Sequence, residues 1–134
     1  MKKRRFVFDS FAFLAYFQAE PTALEVKEIL KQARNEEAEV FLSVMNLGEI
    51  LYTVERKLGL DISQETLHDV LTLPVQIAEA TLERVLSAAH IKACFPVSYA
   101  NAFAVALAQE TAATLVTGDP EFKRVESLVD VLWL

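Results

Sequence analysis

Five short apolar runs, set apart by longer stretches of helical periodicity, restrict the fold of this chain more than any other feature. They cover positions 5–9, 39–43, 75–78, 113–117 and 129–133. In Phe6-Val7-Phe8 and Leu115-Val116 the apolar residues are consecutive, so both faces of the strand need cover, as in the middle of a parallel sheet. Val75 and Ile77 alternate with Gln76 and Ala78 behind Pro74, the pattern of a short edge strand. Between the runs, helical spacing is expected over 10–19, 23–35, 45–57, 61–71, 81–93 and 98–110. Leu47, Ile50, Leu51 and Val54 form one apolar stripe, Gly59 lies just past the end of that helix, and Asp61 or Ser63 is expected to cap the next. Strands alternating with helices indicate an α/β fold with a parallel sheet and right-handed crossovers.

Composition narrows the possibilities. The chain has 134 residues, which suits one domain over 1–134. Three glycines and four prolines mark it as compact, with no linker or internal repeat. Hydrophobic residues make up 53%, which requires a sheet buried on both faces or apolar surface kept for a partner. No apolar run approaches the roughly 18 residues of a membrane span. The basic start, Met1-Lys2-Lys3-Arg4-Arg5-Phe6, leads into a stretch broken by Asp9 and does not read as a signal peptide. A cytoplasmic protein is therefore expected. Cys94 is the single cysteine, which excludes an internal disulfide and a thiolate metal cluster.

The net charge is −6. Proteins that grip nucleic acid by releasing its counterions are usually basic. A site acting on a polyanion would here need a bound cation or a local basic patch. Residues 2–5 are one such patch, or simply a solubilising end.

Ligands of an open parallel sheet bind beyond the carboxyl ends of its strands. Asp9 ends the first run and Asp119 follows the fourth. Glu49 lies in the first turns of the helix after the second run, and Asn101 in the first turn of the helix beginning near Ser98. Four positions far apart in sequence thus converge on one edge. Clustered carboxylates repel and retain protons. A hard cation such as Mg²⁺ or Mn²⁺ relieves the repulsion, activates water and neutralises a phosphodiester under attack, which lets an acidic protein cut a polyanion.

Each residue also has a purely structural reading. Asp9 and Ser10 suit a helix cap, Asn46 with Glu49 a capping box, and Ser98 an N-cap; Asp119 before Pro120 suits a cap followed by proline. His90 and Cys94 are four apart on one helix, but without a third group to orient the histidine they read as a surface histidine beside a buried cysteine. His68 stands alone and is expected at the surface. Phe11, Phe13, Tyr16 and Phe17 read mainly as core.

The segments Phe6-Val7-Phe8-Asp9-Ser10, Asn46-Leu47-Gly48-Glu49-Ile50, Ser98-Tyr99-Ala100-Asn101-Ala102-Phe103 and Val116-Thr117-Gly118-Asp119-Pro120-Glu121-Phe122 resemble, in order, the motifs of PIN-domain proteins. The likeness is greatest to the VapC-type toxins of bacterial toxin–antitoxin pairs. It implies a three-layer α/β/α fold around a mostly parallel sheet of four or five strands. It also implies Mg²⁺- or Mn²⁺-dependent RNA cleavage, a homodimer, and neutralisation by a cognate antitoxin. Asp9, Glu49 and Asp119 fall on the family's metal-site acids, and Ser10 and Thr117 on supporting positions. Antitoxins of such toxins cover an apolar groove, for which Phe13, Phe17, Leu47 and Leu51 are the corresponding expectation.

Asn101 departs from the pattern, because the family usually has aspartate there. The amide keeps an oxygen able to bind metal but removes a charge worth several kcal/mol beside a divalent ion. Weaker metal binding is expected, with Glu121 as a possible substitute or an ordinary first-turn acid. A second reading is therefore a PIN-like module that binds RNA or protein without cutting. A third, phosphoryl transfer on small substrates, fits poorly. A haloacid-dehalogenase-like site needs an acid where Phe11 stands, and a receiver domain needs an acidic pair and a late lysine that are missing.

Overall fold

The computed structural model describes residues 3–134, so Met1 and Lys2 of the basic start lie outside the described residues. Five strands form one sheet: β1 (Arg4–Phe8), β2 (Ala38–Ser43), β3 (Gln76–Ala78), β4 (Thr114–Thr117) and β5 (Val131–Trp133). Their order is β3-β2-β1-β4-β5, and every neighbouring pair is parallel. β1 is central because its apolar residues run consecutively: Phe6 and Phe8 face one layer and Val7 the other, all at 1% exposure or less. β3 is the edge strand that Pro74 announces.

Helices cover both faces. α1 (Ser10–Phe17), α2 (Ala23–Arg34), α3 (Val44–Leu58) and α4 (Leu60–Thr72) pack on the Phe6 and Phe8 side. α5 (Leu82–Cys94), α6 (Tyr99–Thr111) and a 3-10 turn (Pro120–Val125) pack on the Val7 side. The result is a three-layer α/β/α fold. α6 is buried at every position from Asn101 to Ala108, where alanines let it lie close to the sheet. No single helix is long and apolar enough to cross a membrane.

Several caps differ from expectation. α3 starts one residue earlier than expected, with Ser43 as N-cap accepting from the Met45 amide, so Asn46 and Glu49 form no capping box. Both are freed for other contacts. α4 has no side-chain cap: Gly59 joins it to α3 at φ +93°, a conformation that favours glycine, and the Ser63 hydroxyl instead donates to the Leu51 carbonyl on α3. That bond links α4 directly to α3.

Two surface expectations also change. Cys94 is exposed, not buried, and its sulfur lies 3.9 Å from His90 Nε2 on the outside of α5. Arg4 and Arg5 begin β1, the end opposite Asp9. Arg5 pairs with Glu39 at 3.4 Å and donates to the Thr111 carbonyl, while Arg4 lies over the Phe6 ring. These cations tie down the sheet's far edge. They do not reverse the field at the acids.

Phe8 links the central strand to α1 through an edge-on contact with Phe13 at 5.4 Å. Phe8→Ala should therefore lower the unfolding free energy by about 3–5 kcal/mol in urea titrations. Leu82→Ala, at a position 73% exposed, should change it by less than about 0.5 kcal/mol.

Candidate active site

The sheet order reverses direction about β1: β2 lies on one side of it and β4 on the other. Crossovers leaving β1 and β4 diverge at their carboxyl ends and open a crevice there. Asp9 leaves β1 into this crevice and Asp119 follows β4 two residues after its last position. α3 and α6 bring Glu49 and Asn101 to the same edge.

Asp9 is the deepest of the acids, at 1% exposure. It is the N-cap of α1: one carboxylate oxygen accepts from the Ala12 amide at 3.0 Å and the other from Thr117 Oγ1 at 2.5 Å. Thr117 Oγ1 in turn accepts from the Asp119 amide at 2.9 Å. One hydroxyl therefore fixes both strand-end aspartates, and it must sit at the last position of β4 to do so. Burial pushes the Asp9 carboxyl up to about 7; the Thr117 and Ala12 hydrogen bonds oppose this, and the charges of Asp119 and Glu49 add to it. Those two charges act on Asp9 because all three acids share the crevice.

Ser10 donates through a very short bond to Glu49 Oε1, and its oxygen accepts from Asn46 Nδ2 at 3.3 Å. The same Asn46 amide reaches the Ala100 carbonyl at 3.4 Å. Asn46 is fully buried and joins the first turns of α1, α3 and α6, while its Oδ1 has no partner. Sequence reasoning placed this residue in a cap and missed its bridging role. The available signal was its helical phase, since position 46 shares the buried face of Ile50 and Val54.

Asn101 presents its amide nitrogen to the acids. Nδ2 donates to Asp119 Oδ2 at 3.2 Å and to Glu121 Oε1 at 2.8 Å. Glu121 also accepts from the Ser98 amide at 2.6 Å. Burial resists ionisation of Glu121, but the hydrogen bonds from Ser98 and Asn101, with the charge of Arg124, outweigh it and hold the carboxyl below its usual range. Asp119 caps the 3-10 turn by accepting from the Glu121 amide at 2.9 Å, so its structural and site roles coincide. Phe11 was missed as a site element. Its ring lies against Gly118, where any Cβ would overlap it, and the glycine lets the ring wall the crevice beside Asp119.

The expected groove is not formed as a unit. Phe13 is fully buried and Leu47 is 8% exposed, both packed against the sheet, so neither offers surface to a partner. Phe17 and Leu51 are half-buried at the rim of the same layer.

A family model described as PIN domain matches residues 6–128. The chain belongs to the PIN-domain family. Solved structures similar to this PIN domain include VapBC from Salmonella typhimurium bound to DNA, at TM-score 0.74 and 15% identity, with 96% of this chain and 97% of that chain covered. VapBC2 from Rickettsia felis bound to a promoter DNA fragment gives 0.73 and 16%, with 96% and 97% covered. VapC20 from Mycobacterium tuberculosis, a toxin that cleaves the sarcin–ricin loop, gives 0.72 and 15%, with 94% and 98% covered. At such identities the likeness is one of fold. Comparison with the sequences of curated proteins finds no match.

The donor chemistry fits a hard divalent cation: carboxylates of three residues share a crevice, and burial, with the charges of the other two, raises the carboxyl of Asp9 to about 7. The side chains are nonetheless tied to hydroxyl and amide donors. Among the described residues no three of the His, Cys, Asp and Glu side chains are gathered as a ligand set. Mg²⁺ needs only one or two carboxylates with waters completing its shell, so this spacing is compatible with binding.

The raised Asp9 carboxyl has a signed consequence. Folded Asp9 keeps its proton to about pH 7, whereas in the unfolded chain it ionises near 3.8. Unfolding thus releases a proton between these values, so this residue's contribution to stability falls as pH rises from about 4 to about 7 and is level outside that window. In metal-free buffer, the carboxyl ¹³C shift of Asp9 should titrate near 7, and added Mg²⁺ should move that midpoint downwards. An Asp9 midpoint near 4 in EDTA would contradict the burial account.

Proposed function

We propose that this PIN domain is a metal-dependent endoribonuclease of the VapC toxin kind, acting on RNA phosphodiester bonds. The observation that carries this reading is the convergence of Asp9, Glu49 and Asp119 at the switch point of the sheet, close enough for two of the charges to disfavour ionisation of the third. Asp9, Glu49 and Asp119 would hold Mg²⁺ or Mn²⁺, which supplies positive charge to the phosphodiester and an activated water.

The remaining side chains position these acids. Thr117 directs one Asp9 oxygen and pins the Asp119 backbone; Ser10 directs Glu49; Asn46 locks Ser10 to α3 and α6. Asn101 holds Asp119 and Glu121. Asp9 holds a proton on its carboxyl below about pH 7, in a buried position where a bound cation would favour the ionised form. Burial of this framework excludes bulk water from Asp9 and Thr117, which strengthens every charge interaction there.

The solved neighbours include toxin–antitoxin complexes, which supports an antitoxin partner for this chain as well. A homodimer belongs to the same reading. With Phe13 and Leu47 buried, Phe17 and Leu51 remain as rim residues for such a partner.

A second reading has its own observation. Asn101 turns a donor, not an oxygen, towards Asp119, which favours a domain that binds RNA or protein with little cleavage. Purified protein incubated with Mn²⁺ and a mixed RNA pool separates the two. The nuclease reading expects cleavage that EDTA stops and that Asp9→Asn lowers by at least about 100-fold, a loss of about 2.7 kcal/mol in transition-state stabilisation. Persistent RNA binding without cleavage would favour the binding module.

A further inference from the structure

We propose that Asn101 occupies, with its amide nitrogen, the position a cation would take between Asp119 and Glu121, and so removes one divalent-ion site from this centre. The proposal rests on the metal-dependent reading given above, and concerns how many ions the centre admits. Two anionic oxygens from different residues, Asp119 Oδ2 and Glu121 Oε1, converge on the single atom Nδ2 at 3.2 and 2.8 Å. Carboxylates repel, and such convergence requires either a cation or a donor with two hydrogens. The amide is that donor, and it is locked in place. The Asn101 backbone N–H donates to Ser98 Oγ at 3.2 Å, and the Ser98 N–H donates to the same Glu121 oxygen at 2.6 Å. Asn101 itself is 6% exposed, which leaves its side chain little freedom to withdraw.

The centre is thereby divided. Asp9 and Glu49 are served by the hydroxyls of Thr117 and Ser10, each of which has one hydrogen to give and serves one carboxylate. Asp119 and Glu121 are served by an amide that satisfies both at once. Aspartate at position 101 would exchange that donor for a third carboxylate, and only a proton or a cation can reconcile three. The neutral amide thus provides without charge what two-ion nucleases obtain from a second metal.

The test counts bound Mn²⁺ by elemental analysis and by electron paramagnetic resonance, using protein purified in Mn²⁺ and freed of excess ion. Wild type, Asn101→Asp and Asn101→Ala are compared. Both variants should bind one equivalent more than wild type, Asn101→Asp at least tenfold more tightly than Asn101→Ala. In EDTA, Asn101→Asp should melt below wild type and recover when Mn²⁺ is added. Equal Mn²⁺ counts in all three proteins would overturn the proposal. A gain in Asn101→Asp alone would also overturn it, because added charge and not a vacated position would then explain the ion. The metal-dependent reading fails separately: wild type binding no Mn²⁺ removes it, whereas a gain of one equivalent in both variants would still uphold the role assigned to Asn101.

Discussion

A carboxylate buried at the end of the central strand organises the rest of this molecule. Asp9 cannot be left in an apolar interior without partners, because an unpaired buried charge costs several kcal/mol. Two donors answer that need, the first-turn amide of α1 and the hydroxyl of Thr117. The first forces α1 to begin immediately after β1. The second requires β4 to lie beside β1 in parallel and to end in a residue with a short hydroxyl. Strand order, the start of one helix and the identity of one threonine thus follow from a single group. Even so, the two hydrogen bonds do not outweigh burial, and the carboxyl stays far above its ordinary range. A domain that keeps such a group carries an electrostatic deficit which a bound cation would remove.

The packing around it serves placement. Phe6 and Phe8 anchor the α1–α4 layer and Val7 the α5–α6 layer, so β1 is held on both faces and Asp9 has little room to shift. Alanines at 102, 104, 106 and 108 bring α6 close to the sheet and carry Asn101 inward. Asn46 then ties three helix starts together through Ser10 and the Ala100 carbonyl. Its Oδ1 is buried without a protein donor, so the bridge is made by the amide nitrogen alone.

Much of this was legible in the sequence because periodicity reports burial. Consecutive apolar residues at 6–8 and 115–116 identified central strands, and the alternation behind Pro74 an edge strand. Strand-end position identified Asp9 and Asp119, whose grouping at one edge the parallel topology requires. The failures share a cause: local patterns do not reveal which partner a polar side chain finds across the fold. Asn46 and Glu49 have capping-box spacing, yet Ser43 caps the helix and both residues reach α1 instead. Ser63 was as plausible a cap, but α3 offered it a free carbonyl. Phe13 and Leu47 belong to the apolar series expected at a groove, and the sheet takes both. Which member of an apolar series faces outward depends on the angle at which the helix docks, and spacing alone does not give that angle.

The distribution of charge gives the acids their meaning. An excess of six negative charges would repel a polyanion, and Arg4 and Arg5 lie at the wrong end of β1, committed to Glu39, Phe6 and a carbonyl. What offsets the acids inside the crevice is, apart from the charge of Arg124 near Glu121, a set of neutral donors: two hydroxyls, an asparagine amide and the backbone N–H groups at helix starts. Neutral donors direct carboxylates without cancelling their charge. A centre assembled this way keeps its attraction for a small cation and its repulsion of a bare phosphate. On the proposed reading, a bound metal ion would be what lets a nucleic acid approach the crevice, and Asn101, by replacing a charge with two hydrogens, would weaken that dependence.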